Sequence, residues 1–291
     1  MLRLVVPKGS LERQTLDLFA AADLAILRSS DVDYRGSIDD ERVADVRVLR
    51  PQEIPLYVSS GLFDIGITGR DWVQETRADV VSLGELRYSK ATDRPVMIVI
   101  AVHESSPTRR VEDLHRGARV ATEYPDITRR FLAERGVEAE VLASYGATEA
   151  KVPEIADAIV EVTETGRALE AAGLRVLEVV LESYPELIAN RQSCADADKA
   201  RAMAQILTLL QGALDARGKV LVKLNVSARD LDAVLKLLPS MKAPTVSQLS
   251  GDSGFAIETV IKRTEINVLL PALKEAGATD ILELALSKIV H

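Results

Sequence analysis

The chain has few of the residues that form disulfide bonds and metal centres. One cysteine, Cys194, occurs among 291 residues, so no disulfide can form within the chain and a cysteine-rich metal site is excluded. The three histidines, His103, His115 and His291, are far apart and none has metal-ligand spacing, so we expect no histidine-based metal site. Aromatic residues make up only 4% of the chain, yet its length suffices to bury large cores without staples.

Long hydrophobic runs and an excess of basic charge are also absent. No apolar run approaches the roughly 20 residues of a membrane span, and Pro7 and Gly9 interrupt the N-terminal apolar stretch, so we expect neither a span nor a signal peptide. The 36 basic residues are outnumbered by 44 acidic ones, and the resulting net charge of −8 disfavours broad nucleic-acid binding. We therefore predict a cytoplasmic globular protein that binds neither nucleic acid nor membrane.

Short apolar runs alternate with helical patterns over the first two thirds of the chain. Residues 2–6 have a strand pattern and are followed by an amphipathic helical pattern over 10–22. The continuous apolar run 96–102 is typical of a strand that is buried on both faces. This alternation predicts α/β architecture with a mostly parallel sheet.

Changes in composition predict three domains. A polar, turn-like stretch around 88–93 separates two α/β blocks. We expect the first α/β domain over 1–90 together with about 184–217, the second over 91–183, and a smaller third domain over 218–291.

The third domain has its own order of patterns. Strand patterns alternate with helical ones, and Ser227 is the expected N-cap of the first helix. The strands are predicted over 219–226, 245–249, 255–262 and 280–289, with helices over 227–238 and 265–276. The order βαββαβ is that of a ferredoxin-like unit, which is often regulatory although the fold alone defines no function.

The most informative segment is a strand pattern over 157–162 that runs into Thr163, Glu164, Thr165 and Gly166 and then into a helical pattern. Hydroxyl groups and consecutive backbone N–H groups at the start of a helix form an anion pocket. A carboxylate upstream can hold sugar hydroxyls, so the pattern favours a ribose 5-phosphate ligand. A plain strand-to-helix turn with Thr165 as cap is the alternative.

Two further segments have the character of ligand loops. Lys8 follows a strand in a Pro-Lys-Gly turn, where it could pair with a phosphate or could be a surface lysine on a turn. The glycine-rich stretch 64–71 ends a strand, and Arg50 follows another. Open α/β sheets bind ligands at the carboxyl ends of their strands.

Together these segments resemble one family, the ATP phosphoribosyltransferases of histidine biosynthesis in their long form. The matching stretches are RLVVPKGSL, LRPQEIPLYVSSGLFDIGITGRD, ATEYPDITRRFL, GATEAKVPEIADAIVEVTETGRAL and KAPTVSQL, in this order over nearly the whole chain. The resemblance implies two α/β domains similar to a type II periplasmic binding protein, with a cleft between them. It also implies a C-terminal ferredoxin-like, ACT-like regulatory domain, in agreement with the βαββαβ pattern.

The resemblance implies the reaction as well. ATP attacks 5-phosphoribosyl 1-diphosphate through adenine N1, and diphosphate leaves. Mg²⁺ is the expected cofactor, although the sequence does not show which residues would hold it. Histidine is the expected feedback inhibitor, and the family suggests a homodimer that assembles into a hexamer.

Site residues follow from the resemblance position by position. Lys8 and Asp157 are the expected catalytic residues. The expected substrate-binding residues are Arg50, Asp71, Tyr124, Glu149, Ala158, Glu161, Thr163, Glu164, Thr165 and Gly166. The expected histidine site lies near Asn225, Thr245 and Asp280.

This chain departs from the family pattern at several of these positions. Ser10 stands where many short-form members have arginine, Glu161 replaces a more usual aspartate, and Ala168 replaces a more usual threonine. Asn225 stands where an aspartate occurs in some relatives. Two alternatives therefore stay open, namely a small-molecule-binding module of the same bilobed fold and an inactive regulatory paralogue.

Overall fold

The structure, a computed structural model, describes residues 1–89, 94–239 and 243–291. The chain divides into two units, Met1–Leu207 and Thr208–His291. The expected boundary between the two α/β domains, at residues 90 and 91, lies outside the described residues. The division into three domains stays a prediction.

The described residues contain helices and strands in alternation. The strands are β1 Leu2–Pro7, β2 Arg35–Gly36, β3 Val43–Leu49, β4 Ile65–Gly69, β5 Val80–Glu85, β6 Val96–His103, β7 Ala118–Thr122, β8 Ala139–Ala143, β9 Ala158–Thr163, β10 Leu174–Ser183, β11 Pro185–Asn190, β12 Lys219–Val226, β13 Thr245–Gln248, β14 Phe255–Lys262 and β15 Ala278–Ala285. The helices are α1 Glu12–Ala21, α2 Ile54–Ser59, α3 Arg70–Thr76, α4 Pro125–Glu134, α5 Arg167–Ala171, α6 Arg191–Ala195, α7 Ala197–Ala216, α8 Leu231–Leu237 and α9 Arg263–Glu275.

The first unit contains two sheets, and both are mixed. The six-stranded sheet has the order β2-β3-β1-β4-β11-β5, and the five-stranded sheet has the order β10-β6-β9-β7-β8. β1 is parallel to β3 and β4, and β7 is parallel to β8 and β9, whereas β10 and β11 are antiparallel to their neighbours. The prediction of a mostly parallel sheet is therefore wrong. Neither β10 nor β11 is among the predicted strands, and their antiparallel pairs contribute to making both sheets mixed.

The apolar run 96–102 forms most of β6, an inner strand of the five-stranded sheet, and it is buried on both faces, as predicted. Ile98 and Ile100 pack into the core on one face of β6, and Val99 and Ala101 pack into the core on the other. A strand with both faces buried needs no polar residue at alternate positions. The side chains that bear chemistry therefore lie at the strand ends.

The second unit, which also includes the end of α7, contains the predicted ferredoxin-like arrangement from β12 to β15. Its antiparallel sheet has the order β13-β14-β12-β15, and alternate residues of β12, among them Val222 and Leu224, pack with Leu273 of α9 into one core. Its first helix begins at Leu231, later than predicted. The hydroxyl of Ser227 donates to Asp230 Oδ2 (2.9 Å), which closes a turn before the helix and makes Asp230 the N-cap. The predicted fold class is confirmed.

In the described part of the chain, no helix combines the length and the apolar character that a membrane crossing requires.

Candidate active site

A cavity of about 340 Å³ lies where the carboxyl ends of parallel strands from both sheets of the first unit meet. Four of the predicted site residues line it: Asp71 after β4, Tyr124 after β7, and Thr163 and Glu164 at the end of β9. The remaining lining residues are Ser10, Leu11, Pro51, Gly69, Trp72, Tyr88, Ser89, Val96, Val162, Ser183, Tyr184 and Pro185. This position agrees with the rule that open α/β sheets bind ligands beyond the carboxyl ends of their strands.

Asp71 is a buried carboxylate that joins the two sheets. The Tyr124 hydroxyl donates to Asp71 Oδ2 (2.9 Å), and the Ser183 hydroxyl donates to Asp71 Oδ1 (2.7 Å). Burial raises the pKa of Asp71, although these two hydrogen bonds act in the opposite direction. Burial also raises the pKa of Tyr124 well above its ordinary value, and the Asp71 charge adds to this effect. Tyr124 therefore stays a hydrogen-bond donor at neutral pH.

Trp72 lines the cavity, and the sequence analysis does not predict it as a site residue. Its ring lies 4.6 Å from the Tyr124 ring, centroid to centroid, at an interplanar angle of 32°. The sequence does contain a signal, because Trp72 is the only tryptophan and directly follows Asp71. Ser183 gave no such signal, since it is 112 residues away from Asp71 in the chain.

The loop from Thr163 to Gly166 is held by its own hydrogen bonds. Thr163 Oγ1 accepts the Gly166 N–H (2.9 Å), and Ser89 donates a short hydrogen bond to Glu164. Thr165 is exposed at the tip of this loop. Gly166 has a φ of +77°, and a Cβ at this position would meet only open space, with Glu170 Oε1 4.0 Å away. The glycine is therefore required by its left-handed backbone rather than by a close neighbour.

Glu161 precedes this loop in β9, and Glu149 lies within electrostatic range of it. Burial raises the pKa of Glu161, and the charges of Glu123 and Glu149 act in the same direction. A chain of hydrogen bonds leads from Lys151 to the Glu161 carboxylate. Lys151 donates to Ser144, Ser144 contacts Thr148 (2.7 Å between the hydroxyl oxygens), and Thr148 forms a hydrogen bond with Glu161.

Lys8 and Arg50 follow the parallel strands β1 and β3 at the same edge of the six-stranded sheet. Lys8 Nζ lies 4.1 Å from the centroid of the Tyr34 ring, a cation–π contact. Arg50 is exposed, and within the described ranges its guanidinium makes no hydrogen bond or ion pair. Neither residue lines the cavity, but each adjoins a loop that does, through Ser10 and Pro51.

Asp157 and Ala158 lie at the opposite end of β9. Thr163 is six positions after Asp157, which corresponds to about 20 Å along a strand. The Asp157 carboxylate accepts the backbone N–H (2.8 Å) and Nε (3.4 Å) of Arg119 on the neighbouring strand. Burial raises the pKa of Asp157, but the hydrogen bonds from Arg119 outweigh it and hold this pKa below its ordinary value. The structure does not bring Asp157 or Ala158 to the loop.

The six-stranded sheet repeats this arrangement with a different pair. Asp64 precedes β4 and accepts the backbone N–H (2.8 Å) and Nε (3.3 Å) of Arg3 on β1, as Asp157 does with Arg119. In both pairs the aspartate N–H donates back to the arginine carbonyl oxygen at 2.9 Å. The same set of hydrogen bonds therefore fixes a parallel strand pair in each sheet, and at Asp157 it engages the carboxylate that the sequence analysis expects to be catalytic.

The predicted effector residues of the second unit lie at two places. Asn225 Nδ2 donates to Asp280 Oδ2 (3.0 Å). Thr245 is on β13, two strand spacings from β12, which is about 10 Å. It lines a separate cavity of about 300 Å³ with Glu258 and His291.

The carboxylates of the site suit a cation that arrives with phosphates. Among the described residues, no group of three or more His, Cys, Asp or Glu side chains is placed to hold a metal ion. Mg²⁺ bound to phosphate oxygens needs only one or two protein carboxylates, and Glu164 is a carboxylate residue in the cavity wall.

Comparison with known proteins gives a consistent result over the whole chain. The family model described as HisG, ATP phosphoribosyltransferase, matches residues 50–212, and the model of the HisG C-terminal domain matches residues 216–288. An ATP phosphoribosyltransferase of Chlorobium luteolum is 47% identical over 290 residues, 100% of this chain and 98% of that protein. One of Desulforudis audaxviator is 47% identical over 291 residues, 99% of each chain.

A solved structure is similar in fold. The ATP phosphoribosyl transferase (HisG:HisZ) complex from Thermotoga maritima superimposes with a TM-score of 0.61 at 24% identity. The match covers 72% of this chain and 97% of that one.

Proposed function

The chain belongs to the ATP phosphoribosyltransferase family, and from this premise we propose that its cavity binds ATP and 5-phosphoribosyl 1-diphosphate for the first step of histidine biosynthesis. The observation that carries the proposal is the loop from Thr163 to Gly166, which ends a parallel strand and contributes Thr163 and Glu164 to the cavity wall. A hydroxyl-rich loop with a left-handed glycine suits a sugar phosphate.

The reaction is a substitution at C1 of the ribose. The bond between C1 and adenine N1 forms, the bond between C1 and the diphosphate oxygen breaks, and the leaving diphosphate keeps the electron pair. N1 attacks through its own lone pair, so no strong general base is needed. Catalysis then depends on positioning and on electrostatic stabilisation of the charges that develop.

Side chains of the site carry charges opposite in sign to those of the reacting groups. Positive charge develops at the ribose, and we assign its stabilisation to the carboxylate of Glu161, which precedes the loop in β9. Lys8 and Arg50, at neighbouring strand ends, suit the phosphates of the two substrates. When bound, Mg²⁺ would neutralise the diphosphate, and Glu164 would be its protein ligand.

The test follows product formation with two nucleotides. The purified chain is incubated with Mg²⁺, 5-phosphoribosyl 1-diphosphate and either ATP or 1-deaza-ATP, which lacks the attacking nitrogen. We expect phosphoribosyl-ATP and diphosphate, measured by mass spectrometry, in the reaction with ATP but not in the reaction with 1-deaza-ATP. Equal diphosphate release with 1-deaza-ATP, or no adduct with ATP, would contradict the proposal.

Substitution of Gly166 is expected to affect the loop rather than the whole fold. Gly166→Ala places a Cβ on a residue with a φ of +77°, which costs about 1 kcal/mol in an L-residue. The loop then leaves its conformation, and the KM for 5-phosphoribosyl 1-diphosphate should rise several-fold more than the KM for ATP. Steady-state kinetics with each substrate varied in turn measure this. Gly173→Ala, which also has positive φ but lies outside the loop, is the control.

We also propose that histidine inhibits the enzyme through the second unit, near Asn225 and Asp280. Their side chains are hydrogen-bonded to each other at the exposed surface of the sheet. A carboxylate in place of the Asn225 amide would offer a second charge to a cationic amino acid. Thr245 belongs to this proposal as a residue of the same sheet.

The expected result is stronger inhibition in Asn225→Asp and weaker inhibition in Asp280→Asn. A charged hydrogen bond changes affinity by about 10-fold or more, so the half-inhibitory histidine concentration should shift by that factor in opposite directions. Glu283→Gln on the same strand is the control. Unchanged inhibition in both variants, or direct competition of histidine with 5-phosphoribosyl 1-diphosphate, would contradict the assignment.

We propose that the enzyme is a homodimer that assembles into a hexamer, as the family suggests. Light scattering with and without histidine measures the mass. A monomer under both conditions would contradict this proposal.

A further inference from the structure

Helix α4 has no capping side chain of its own. Tyr124 is its N-cap and makes no side-chain capping hydrogen bond, and Pro125 at its first position has no N–H to donate. The N–H groups of Asp126 and Ile127 donate instead to the carboxylate of Glu75 on α3, at 2.9 Å for each. A carboxylate at this end of a helix also interacts favourably with the helix dipole. The carboxylate of Glu75 on α3 thus caps the N-terminus of α4 in place of the N-cap side chain.

Glu75 and the cavity residue Asp71 act on the same helix start. They are four residues apart on α3 and therefore lie on one helix face. Asp71 accepts the hydroxyl of Tyr124, whereas Glu75 accepts the two backbone N–H groups that follow Pro125. Two carboxylates thus hold both the side chain and the backbone at the start of α4.

Further polar contacts surround these two. Arg77 makes a bidentate ion pair with Asp126 (2.8 and 2.7 Å), and Arg130 Nη2 donates to the Gln74 carbonyl oxygen (3.2 Å). We define the α3–α4 seam as the contacts that Asp71, Gln74 and Glu75 of α3 and the adjoining Arg77 make with Tyr124, Asp126, Ile127 and Arg130. It joins a helix that follows a strand of the six-stranded sheet to one that follows a strand of the five-stranded sheet.

We propose that Glu75 is a positioning residue for the reaction. By capping α4 from α3, it fixes Tyr124 against Asp71 and Trp72 in the wall of the cavity. Glu75 itself does not line the cavity, so its effect on substrates passes through Tyr124. The inference rests on the proposed function, because the cavity is the site that Tyr124 shapes.

The chain contains its own reporter for this seam. Trp72 is the only tryptophan, and its ring lies against Tyr124. A displaced Tyr124 changes the surroundings of Trp72, so intrinsic fluorescence follows the seam in the full-length protein without any label.

The experiment compares Glu75→Ala, Glu75→Gln and the control Asp79→Asn. Asp79 is an exposed carboxylate near α3 that pairs with Arg191 and does not contact α4. In Glu75→Ala we expect KM for at least one substrate to rise several-fold, because Tyr124 loses its fixed position in the cavity wall. The emission of Trp72 should shift to longer wavelength. Glu75→Gln should lie closer to the unsubstituted protein, because its amide oxygen still accepts one N–H group, and Asp79→Asn should change neither quantity.

A purely structural role would give a different result. If Glu75→Ala lowers the Tm but leaves KM and Trp72 emission unchanged in the folded protein, or if glutamine restores nothing, the proposal is overturned. If the alanine variant does not fold, hydrogen exchange at the Asp126 and Ile127 amides of Glu75→Gln decides, with faster exchange expected and unchanged exchange overturning the proposal. If the unsubstituted protein formed no phosphoribosyl-ATP, the proposed function would be wrong. Trp72 fluorescence emission and amide hydrogen exchange would still test the α3–α4 seam.

Discussion

Glu161→Gln is expected to lower kcat by about 100-fold or more, the scale of losing one electrostatic contact in a transition state, and to raise the Tm. The amide keeps the shape of the side chain and its hydrogen bond with Thr148 but removes the charge that would face the ribose. The same charge is unfavourable for folding, because Glu161 is desolvated and lies near Glu123 and Glu149. Loss of activity with gain of stability is typical of a functional residue.

The stability difference should depend on pH with a definite sign. The pKa of Glu161 in the folded protein is raised above its ordinary value of 4.5, so the folded state binds this proton more tightly than the unfolded state. The carboxylate therefore destabilises the fold progressively as the pH rises above about 4.5. The Tm difference between Glu161→Gln and the unsubstituted protein should be small below this pH and grow above it, as thermal denaturation at several pH values would show.

Asp157→Asn is the matched control for this prediction. It lies four residues earlier in the same segment, and its carboxylate is engaged by Arg119. We expect lower stability with kcat little changed. If Asp157→Asn loses turnover while Glu161→Gln keeps it, the assignment of the two carboxylates is reversed.

Asp64→Ala is expected to lower the free energy of unfolding by about 3–5 kcal/mol, the cost of breaking a buried ion pair by removing one partner. The Asp64 side chain is 1% exposed. It accepts hydrogen bonds from Lys199 Nζ (2.8 Å), the Ser193 hydroxyl (2.6 Å) and the backbone N–H of Arg3 (2.8 Å). These contacts connect β1, β4, α6 and α7, so their loss affects the whole six-stranded sheet.

The contribution of Asp64 to the free energy of unfolding should also depend on pH, in the opposite sense to that of Glu161. Burial raises the pKa of Asp64, but the hydrogen bonds from Lys199, Ser193 and Arg3 outweigh it and hold the pKa well below its ordinary value of 3.8. The stabilisation is present above about pH 4 and is lost as the pH falls through the depressed pKa.

Urea denaturation at neutral and acidic pH measures both effects. The difference between Asp64→Ala and the unsubstituted protein should shrink as the pH falls below the ordinary carboxyl pKa. Asp17→Ala, on the exposed surface of α1, is the control and should not change the midpoint. A midpoint of Asp64→Ala equal to that of the control would contradict the role of this network.

Much of the fold and part of the site could be predicted from the sequence, because the deciding signals are local. The apolar run of β6 and the alternation in β12 report burial directly, since a buried face excludes polar side chains over consecutive turns or pleats. The βαββαβ order follows from these periodicities. Lys8, Arg50 and Asp71 could be expected near one another, because each follows a strand and parallel strands of one sheet end at a common edge.

The tertiary structure decided what each of these side chains does. Asp157 and Glu161 are four residues apart in one motif, and local pattern cannot tell which of them reaches a ligand. The pairing of β9 with β7 decides this, because it places Asp157 against Arg119 and leaves Glu161 beside the loop. The α3–α4 seam and the contact between Ser183 and Asp71 likewise join residues about 50 and 112 positions apart. The physical reason is that periodicity records whether a residue is buried, whereas the charge state and role of a carboxylate depend on partners that only folding brings within hydrogen-bonding distance.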